Sequence, residues 1–229
     1  GGITLDSTNS KIQGSTYVGG ALSRFSTGNF EGGMTINYSG TKVTGIEEVG
    51  GAIGTMDGGY FSGGMTINFT NKSYLGDDPT LPESEWKCIE AGGAVAYLGA
   101  YDGIVMNSGR ICIEIDGTSQ IFAGGLFDGS VVTYEESGVG GAFGRLGTRE
   151  GKLLPQLITN DTDFNFDNEK NYDAYIQVLC RSNNVTIESR GSNVGGLVGH
   201  MLSGTFFRSF STAVIKGVDN VGGVVGLYE

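Results

Sequence analysis

Five kinds of group in this 229-residue sequence could do chemistry: one histidine, three cysteines, scattered carboxylates, an alternating acidic run and five Asn-x-Ser/Thr triplets. His200 stands alone, which excludes a multi-histidine metal site and leaves any Ser–His or Cys–His pair resting on one residue in the turn after "GGLVG". A histidine in a surface loop is the plain expectation there. Cys88, Cys112 and Cys180 lack the C-x-x-C spacing of zinc and dithiol centres and read as buried reduced thiols. The run "DTDFNFDNEKNYDA" puts Asp161, Asp163, Asn165, Asp167, Glu169, Asn171 and Asp173 at every second position. Extended, they line one face of a strand; looped, the D-x-N-x-D start suits oxygen ligands for calcium. Asn168 stands where a calcium loop needs glycine and Ala174 where it needs glutamate, so a solvated acidic insertion is the leading reading and calcium the alternative.

Glu47, Glu48, Asp57, Glu114 and Asp116 lie beside turns, where carboxylates ordinarily face water. Two of them about 5 to 10 Å apart could serve as acid and base in glycoside hydrolysis or uronate lysis. No phosphate-cradling G-x-x-x-x-G-K-[ST] loop occurs, and the many "GG" pairs lack the helix and acidic partner of a dinucleotide site. No residue is assigned as catalytic, cofactor-binding or metal-binding. The triplets at Asn37, Asn68, Asn71, Asn160 and Asn184 are N-glycosylation acceptors in form and give weak support for an extracellular protein.

The elements that would position these groups announce themselves by repetition. "VGGAL" begins at Val18, "VGGAIG" at Val49, "AGGAVA" at Ala91, "AGGLF" at Ala123, "VGGAFG" at Val139, "VGGLVG" at Val194 and "VGGVVG" at Val221. The first glycines are 31, 42, 32, 16, 55 and 27 residues apart, so the unit is 27 to 32 residues long. On this count 42 is a unit with an insertion, 16 a half unit, and 55 two units with the middle phrase eroded. "GGMTINYSG" from Gly32 and "GGMTINFTN" from Gly63 share the displacement of 31. Runs such as "TFFRSFSTAVI" and "NVTIES" are β-branched, aromatic and alternating, and no stretch of 12 carries a helical apolar stripe. A short strand repeated at this step buries its apolar face only against its neighbours, which predicts an all-β, right-handed parallel β-helix. Paired glycines there permit both unusual backbone shapes and close approach of coils. One domain over 1–229 is expected, with insertions at about 74–90 and 145–180, and Cys88 and Cys112, about one repeat apart, are the pair that a disulfide between neighbouring coils would join.

Composition narrows the function. A charge of −11, from 14 basic and 25 acidic residues, disfavours a nucleic-acid groove or an anionic membrane surface. No apolar run is long enough to insert in a membrane as a helix. Only two "MTIN" copies occur, too few for an ice-binding threonine ladder.

The stretch "VGGLVGHMLSGTFFRSFSTAVIKGVDNVGGVVG", with Gly196, Leu197, Val198 and Gly199 as its G-L-any-G core, resembles the GLUG-type repeat. The likeness is good over 194–226, fair over 18–70 and 139–144, and poor over 150–180; Ala21, Ala94 and Phe127 depart at core positions. The resemblance implies a bacterial surface or secreted protein, adhesin-like, with no catalytic residues to carry over. The expectation is therefore a non-enzymatic extracellular structural or adhesive module, a rod presenting loops to a protein or glycan partner. It reads as a piece of a longer array or a subunit stacking end to end as a homo-oligomer. A polysaccharide-active β-helix enzyme of the pectinase-like kind is the alternative.

Overall fold

The computed structural model describes residues 1–99, 105–107, 110–127, 130–131, 138–147, 176–180, 182–191, 193–202 and 209–229. Among them, four sheets each hold six parallel strands, and the chain visits the four in turn before starting the next coil. The first sheet stacks Ile3–Thr8, Met34–Ser39, Met65–Thr70, Ile111–Ile115, Ile176–Cys180 and Phe210–Ser211; the second stacks Lys11–Gln13, Lys42–Thr44, Tyr74–Gly76, Gln120–Ala123, Ile187–Ser189 and Ile215–Lys216. The third is made of the glycine phrases themselves, Val18–Gly19, Val49–Gly50, Ala91–Gly92, Val139–Gly140, Val194–Gly195 and Val221–Gly222. The fourth stacks Leu22–Phe25, Ile53–Met56, Val95–Leu98, Phe143–Leu146, Val198–Met201 and Val225–Tyr228. The chain is a parallel β-solenoid of six coils.

Alternation explains why the sequence winds this way. In the first sheet Ile36, Ile67, Ile113 and Val178 occupy one inward row in exact register, completely buried, while Thr35, Thr66, Cys112 and Gln177 form the neighbouring outward row. Tyr38 and Phe69 stack inward with ring centroids 5.2 Å apart, and the Tyr38 hydroxyl donates to the Gly51 carbonyl at 2.6 Å. The third sheet contributes Val49, Ala91, Val139 and Val194, all fully buried, so one apolar column runs through the stack.

Two parts of the repeat count are corrected by the pairing. Val139 pairs directly with Val194, so the 55-residue gap is a single coil carrying an excursion and not two coils. "AGGLF" is no copy of the phrase: Ala123 ends a second-sheet strand, and Leu126–Phe127 turns out to pair antiparallel with Ser130–Val131, so the 16-residue gap marks an excursion within the fourth coil. The regular sheets also trim the expected insertions. Tyr74–Gly76 belongs to the second sheet, leaving 77–90 as the excursion, while Phe143–Leu146 and Ile176–Cys180 lie in the sheets. Residues 148–175, with the alternating acidic run and Asn160, fall outside the described residues.

The paired glycines serve close approach alone. None of those in the six phrases has a positive φ; the left-handed residue is the one before the phrase, Tyr17, Glu48, Asn193 or Asn220, at φ 50 to 59°. A Cβ on the second glycine would lie 2.0 Å from the next coil's carbonyl oxygen at Gly51 and Gly93, and 2.2 Å at Gly141 and Gly196.

Candidate functional site

Three places in the solenoid gather polar side chains. The first is a covered layer where the third sheet folds back on the fourth. On the fourth sheet Arg24, Thr55, Tyr97, Arg145 and His200 share one row in register. Residues preceding the glycine phrases meet this row. Arg145 lies 3.7 Å from Glu48 and 3.5 Å from Glu90, with its guanidinium 4.2 Å above the Tyr97 ring. The Thr55 hydroxyl donates to Glu48, and Arg24 pairs with Asp57. Burial pushes the Glu48 carboxyl up to about 7; Arg145 opposes this, whereas Glu47 and Asp57 add to it. For Asp57 burial is outweighed by hydrogen bonds from Arg24 and Ser26, which hold it below its ordinary value. A carboxyl that titrates near neutrality beside an arginine and a tyrosine has the properties of a general acid. Its surroundings are closed, however, with Thr55 3 %, Glu90 4 % and Tyr97 4 % exposed.

His200 corrects the expectation of a surface loop. It sits within the strand Val198–Met201, fully buried, with Nε2 3.5 Å from a Glu229 carboxylate oxygen. Of the five candidate carboxylates only Glu48 and Asp57 come together. Glu48 and Asp57 join the covered layer, Glu47 is exposed, and Glu114 points outward from the first sheet. Asp116 is occupied in a turn, accepting hydrogen bonds from the backbone N–H groups of Asn71 and Thr118 at 2.8 and 2.9 Å; these outweigh burial and keep it ionised below the usual range.

The second place is the 77–90 excursion, which is held from inside. The buried Asp77 carboxylate accepts from the backbone N–H groups of Lys87, Cys88 and Gly124 at 3.0, 2.9 and 2.8 Å. Burial raises its pKa against the pull of these three donors. Asp78 pairs with Lys42 in the second coil and accepts from Thr80, while its carbonyl receives the Trp86 indole N–H at 3.0 Å. Trp86 packs edge-on against Phe122, centroids 5.0 Å apart, and Arg190 lies 4.3 Å over the indole. Where the excursion meets the fifth and sixth coils a cleft of about 310 Å³ opens, lined by Glu83, Trp86, Glu188, Arg190, Lys216 and Val218. Arg190 pairs with Glu83 and stands 3.8 Å from Glu188, and Lys216 donates to Glu188 at 2.7 Å. The sequence marks this segment as an insertion at about 74–90 but points to neither Glu188, Arg190 nor Lys216, which come from coils about 100 residues later.

The third place is the outward face of the first sheet. Thr4, Thr35 and Thr66 line an open groove of about 580 Å³ that ends at Arg110 and Cys112. Beside it Asn68 donates to Asn37 and Asn37 to Asp6, each at 2.7 Å. Asn71 donates to the Ser39 hydroxyl and Asn184 to the Gly117 carbonyl, both at 2.8 Å. All four described glycosylation triplets thus have their acceptor amide tied into a bond between coils.

The three cysteines are unpaired. Cys88 is buried in the core with its thiol on the Glu90 carbonyl, while Cys112 is on the outward row of the first sheet, so the possible Cys88–Cys112 bridge is not formed. Among the described residues no three His, Cys, Asp or Glu side chains gather to hold a metal ion, and no helix is long and apolar enough to cross a membrane. No family model, no curated protein and no solved structure matches the chain.

Proposed function

We propose that the chain is a non-enzymatic structural or adhesive module of the cell exterior, a rod of GLUG-type coils that presents its excursions to a protein or glycan partner. The observation that carries this reading is the construction of the 77–90 excursion: one buried carboxylate, Asp77, gathers two backbone donors from the far end of the excursion and a third from Gly124 in the next coil, and a second, Asp78, anchors it to Lys42. A loop fixed in this way is preorganised, and a preorganised surface loses less entropy on binding. The rod beneath it supplies a rigid base. Shortening 77–90 to a tight connection and comparing binding of the two chains to glycan arrays and host cells tests the reading. Binding by the intact chain that the shortened chain retains in full sinks it.

A further reading is an end-to-end homo-oligomer, in which coils of one chain bury their apolar column against coils of another as they do within the chain. Light scattering across protein concentration tests such stacking, and a monodisperse monomer throughout speaks against it. The pectinase-like alternative draws on Glu48, whose carboxyl titrates near neutrality beside Arg145. Assays on acidic polysaccharides with and without calcium decide that question.

A further inference from the structure

We infer that the cleft between the 77–90 excursion and the last two coils binds a neutral saccharide of one or two rings. The inference rests on the proposed reading of the excursions as presented surfaces.

The charge count of the cleft comes first. Glu83 and Glu188 stand against Arg190 and Lys216, each acid paired with a base, so the cleft carries no net charge in a chain of −11. An anionic ligand meets two carboxylates and the repulsion of the whole molecule, and a cationic one meets two bases already placed on those carboxylates. A neutral ligand meets neither obstacle. The pairs are also partly solvated, with Arg190 41 %, Lys216 59 % and Glu83 68 % exposed at the side chain, so a ligand can share these groups without breaking them apart.

Hydrogen-bonding geometry selects hydroxyls. Arg190 is set over Trp86 and paired with Glu83, and Lys216 is held by Glu188, which fixes donors and acceptors side by side. A sugar hydroxyl both donates and accepts, so neighbouring hydroxyls on one ring satisfy an arginine or lysine donor and a glutamate acceptor together. A peptide carries its N–H donors and C=O acceptors on separate groups spaced along the backbone, so it reaches an arginine donor and the adjacent glutamate acceptor together less readily than two neighbouring hydroxyls do. The exposed Val218 and the aliphatic stems of Arg190 and Lys216 supply the apolar wall that the C–H face of a pyranose needs, with the buried Trp86 beneath Arg190. A volume of about 310 Å³ lies at the small end of ligand pockets, which sets the limit of one or two rings.

Trp86 is the chain's one tryptophan and lies beneath Arg190 in the cleft lining, so a ligand on Arg190 is read as a change in its fluorescence. The intact 229-residue chain is titrated with neutral gluco-, manno- and galacto-oligosaccharides, with oligogalacturonate and with neutral peptides. The expected result is a saturable emission change with at least one neutral sugar and binding at least tenfold weaker for oligogalacturonate and for the peptides. Arg190→Gln and Lys216→Met each weaken the neutral sugar at least tenfold, and Val218→Arg, at an exposed position, fills the cleft and abolishes the response. Circular dichroism and melting of each variant confirm the fold. The inference is overturned if no neutral sugar gives a saturable change, if oligogalacturonate or a peptide binds more tightly, or if the three variants leave sugar binding intact. Glycan or cell binding that depends on 77–90 but ignores the three cleft variants removes this inference and leaves the proposed function standing. Binding that survives shortening of 77–90 removes the latter.

Discussion

Replacing Gly93 by alanine places a methyl carbon 2.0 Å from the Gly141 carbonyl oxygen of the next coil, about 1 Å inside the closest approach that real Cβ atoms make. The same replacement at Gly223, the equivalent glycine of the sixth coil, meets nothing within 4 Å. The chemistry and the local turn are alike, so the pair isolates the contact between coils. To relieve the clash at Gly93 the coils must part by about 1 Å against a spacing of about 4.8 Å. That stretches the hydrogen bonds from Gly93, Ala94 and Val95 to Gly140 and Ala142, now 3.2, 2.9 and 3.1 Å. Each is worth about 1 kcal/mol net and more when its groups are left buried and unpaired, so the loss comes to about 3 to 5 kcal/mol. At about 2 to 4 °C per kcal/mol for a chain of this size, Gly93→Ala melts at least 6 °C lower. Gly223→Ala changes stability by less than about 1 kcal/mol, in the stabilising direction, because alanine has less freedom to lose on folding. Thermal unfolding followed by circular dichroism at low protein concentration measures both. Equal shifts for the two variants refute the argument that the second glycine is there for the coil above it.

The covered layer gives a pH signature. Glu48 ionises near 7 when folded and near 4.5 when unfolded, so the folded state binds the extra proton between those values, and its contribution to stability falls by roughly 3 kcal/mol as pH rises from 4.5 to 7. Glu48→Gln flattens that slope in urea unfolding, and an unchanged slope rejects the assignment. Asp57, Asp78 and Asp116 act in the opposite sense: held below their ordinary value, they stabilise the fold above about pH 4 and withdraw that support as pH falls through their lowered pKa values. Thiol labelling of the native chain modifies Cys88 last, because the core covers it completely, and labelling at the same rate as Cys112 contradicts that placement. Expressed in a glycosylating host, the chain carries no glycan at Asn37 or Asn68, whose amides are bonded into one ladder; mass spectrometry showing substantial occupancy at either overturns the ladder.

The sequence made the winding legible because coils repeat their inward residues. The displacement of 31 between the two "MTIN" phrases is the register itself, with Thr35 opposite Thr66 and Ile36 opposite Ile67. Where reading failed, a local phrase was asked to report a distant partner. "AGGLF" matches the repeat in letters, yet Gly124 is placed by the Asp77 carboxylate and packs on Trp86. Gly140 and Gly195, 55 residues apart, look like ends of two coils and are neighbours in one sheet, because a solenoid tolerates an insertion of any length at a turn. The covered layer was invisible for a different reason. Positions preceding the phrase read Tyr17, Glu48, Glu90, Gly138, Asn193 and Asn220, a set with no common chemistry, and only the pairing reveals that they form one row.

That lack of common chemistry bears on how a chain of near-identical coils finds one register. Valine on valine and glycine on glycine fit equally well if a coil skips its neighbour, so the apolar column stabilises the stack without ordering it. The polar contacts do distinguish the coils. Arg24 meets Asp57 only if the first coil lies on the second, Lys42 meets Asp78 only if the second lies on the third, and Arg145 reaches Glu90 only if the fourth lies on the third. In these pairs the carboxylates are covered while Arg24 and Lys42 are 50 % and 38 % exposed, so each pair adds little net stability when formed, yet a slipped register that leaves Asp57, Asp78 or Glu90 without its cation strands a buried charge and is penalised more heavily than the correct one is favoured. Exchanging Glu90 for glutamine tests this. With Glu48 still 3.7 Å from Arg145, the folded chain loses less than the full cost of a stranded charge, and refolding from urea yields a second, slower population in which coils have paired out of order. A single refolding phase with unaltered hydrogen-exchange protection across the third and fourth coils shows that the apolar column orders the coils unaided.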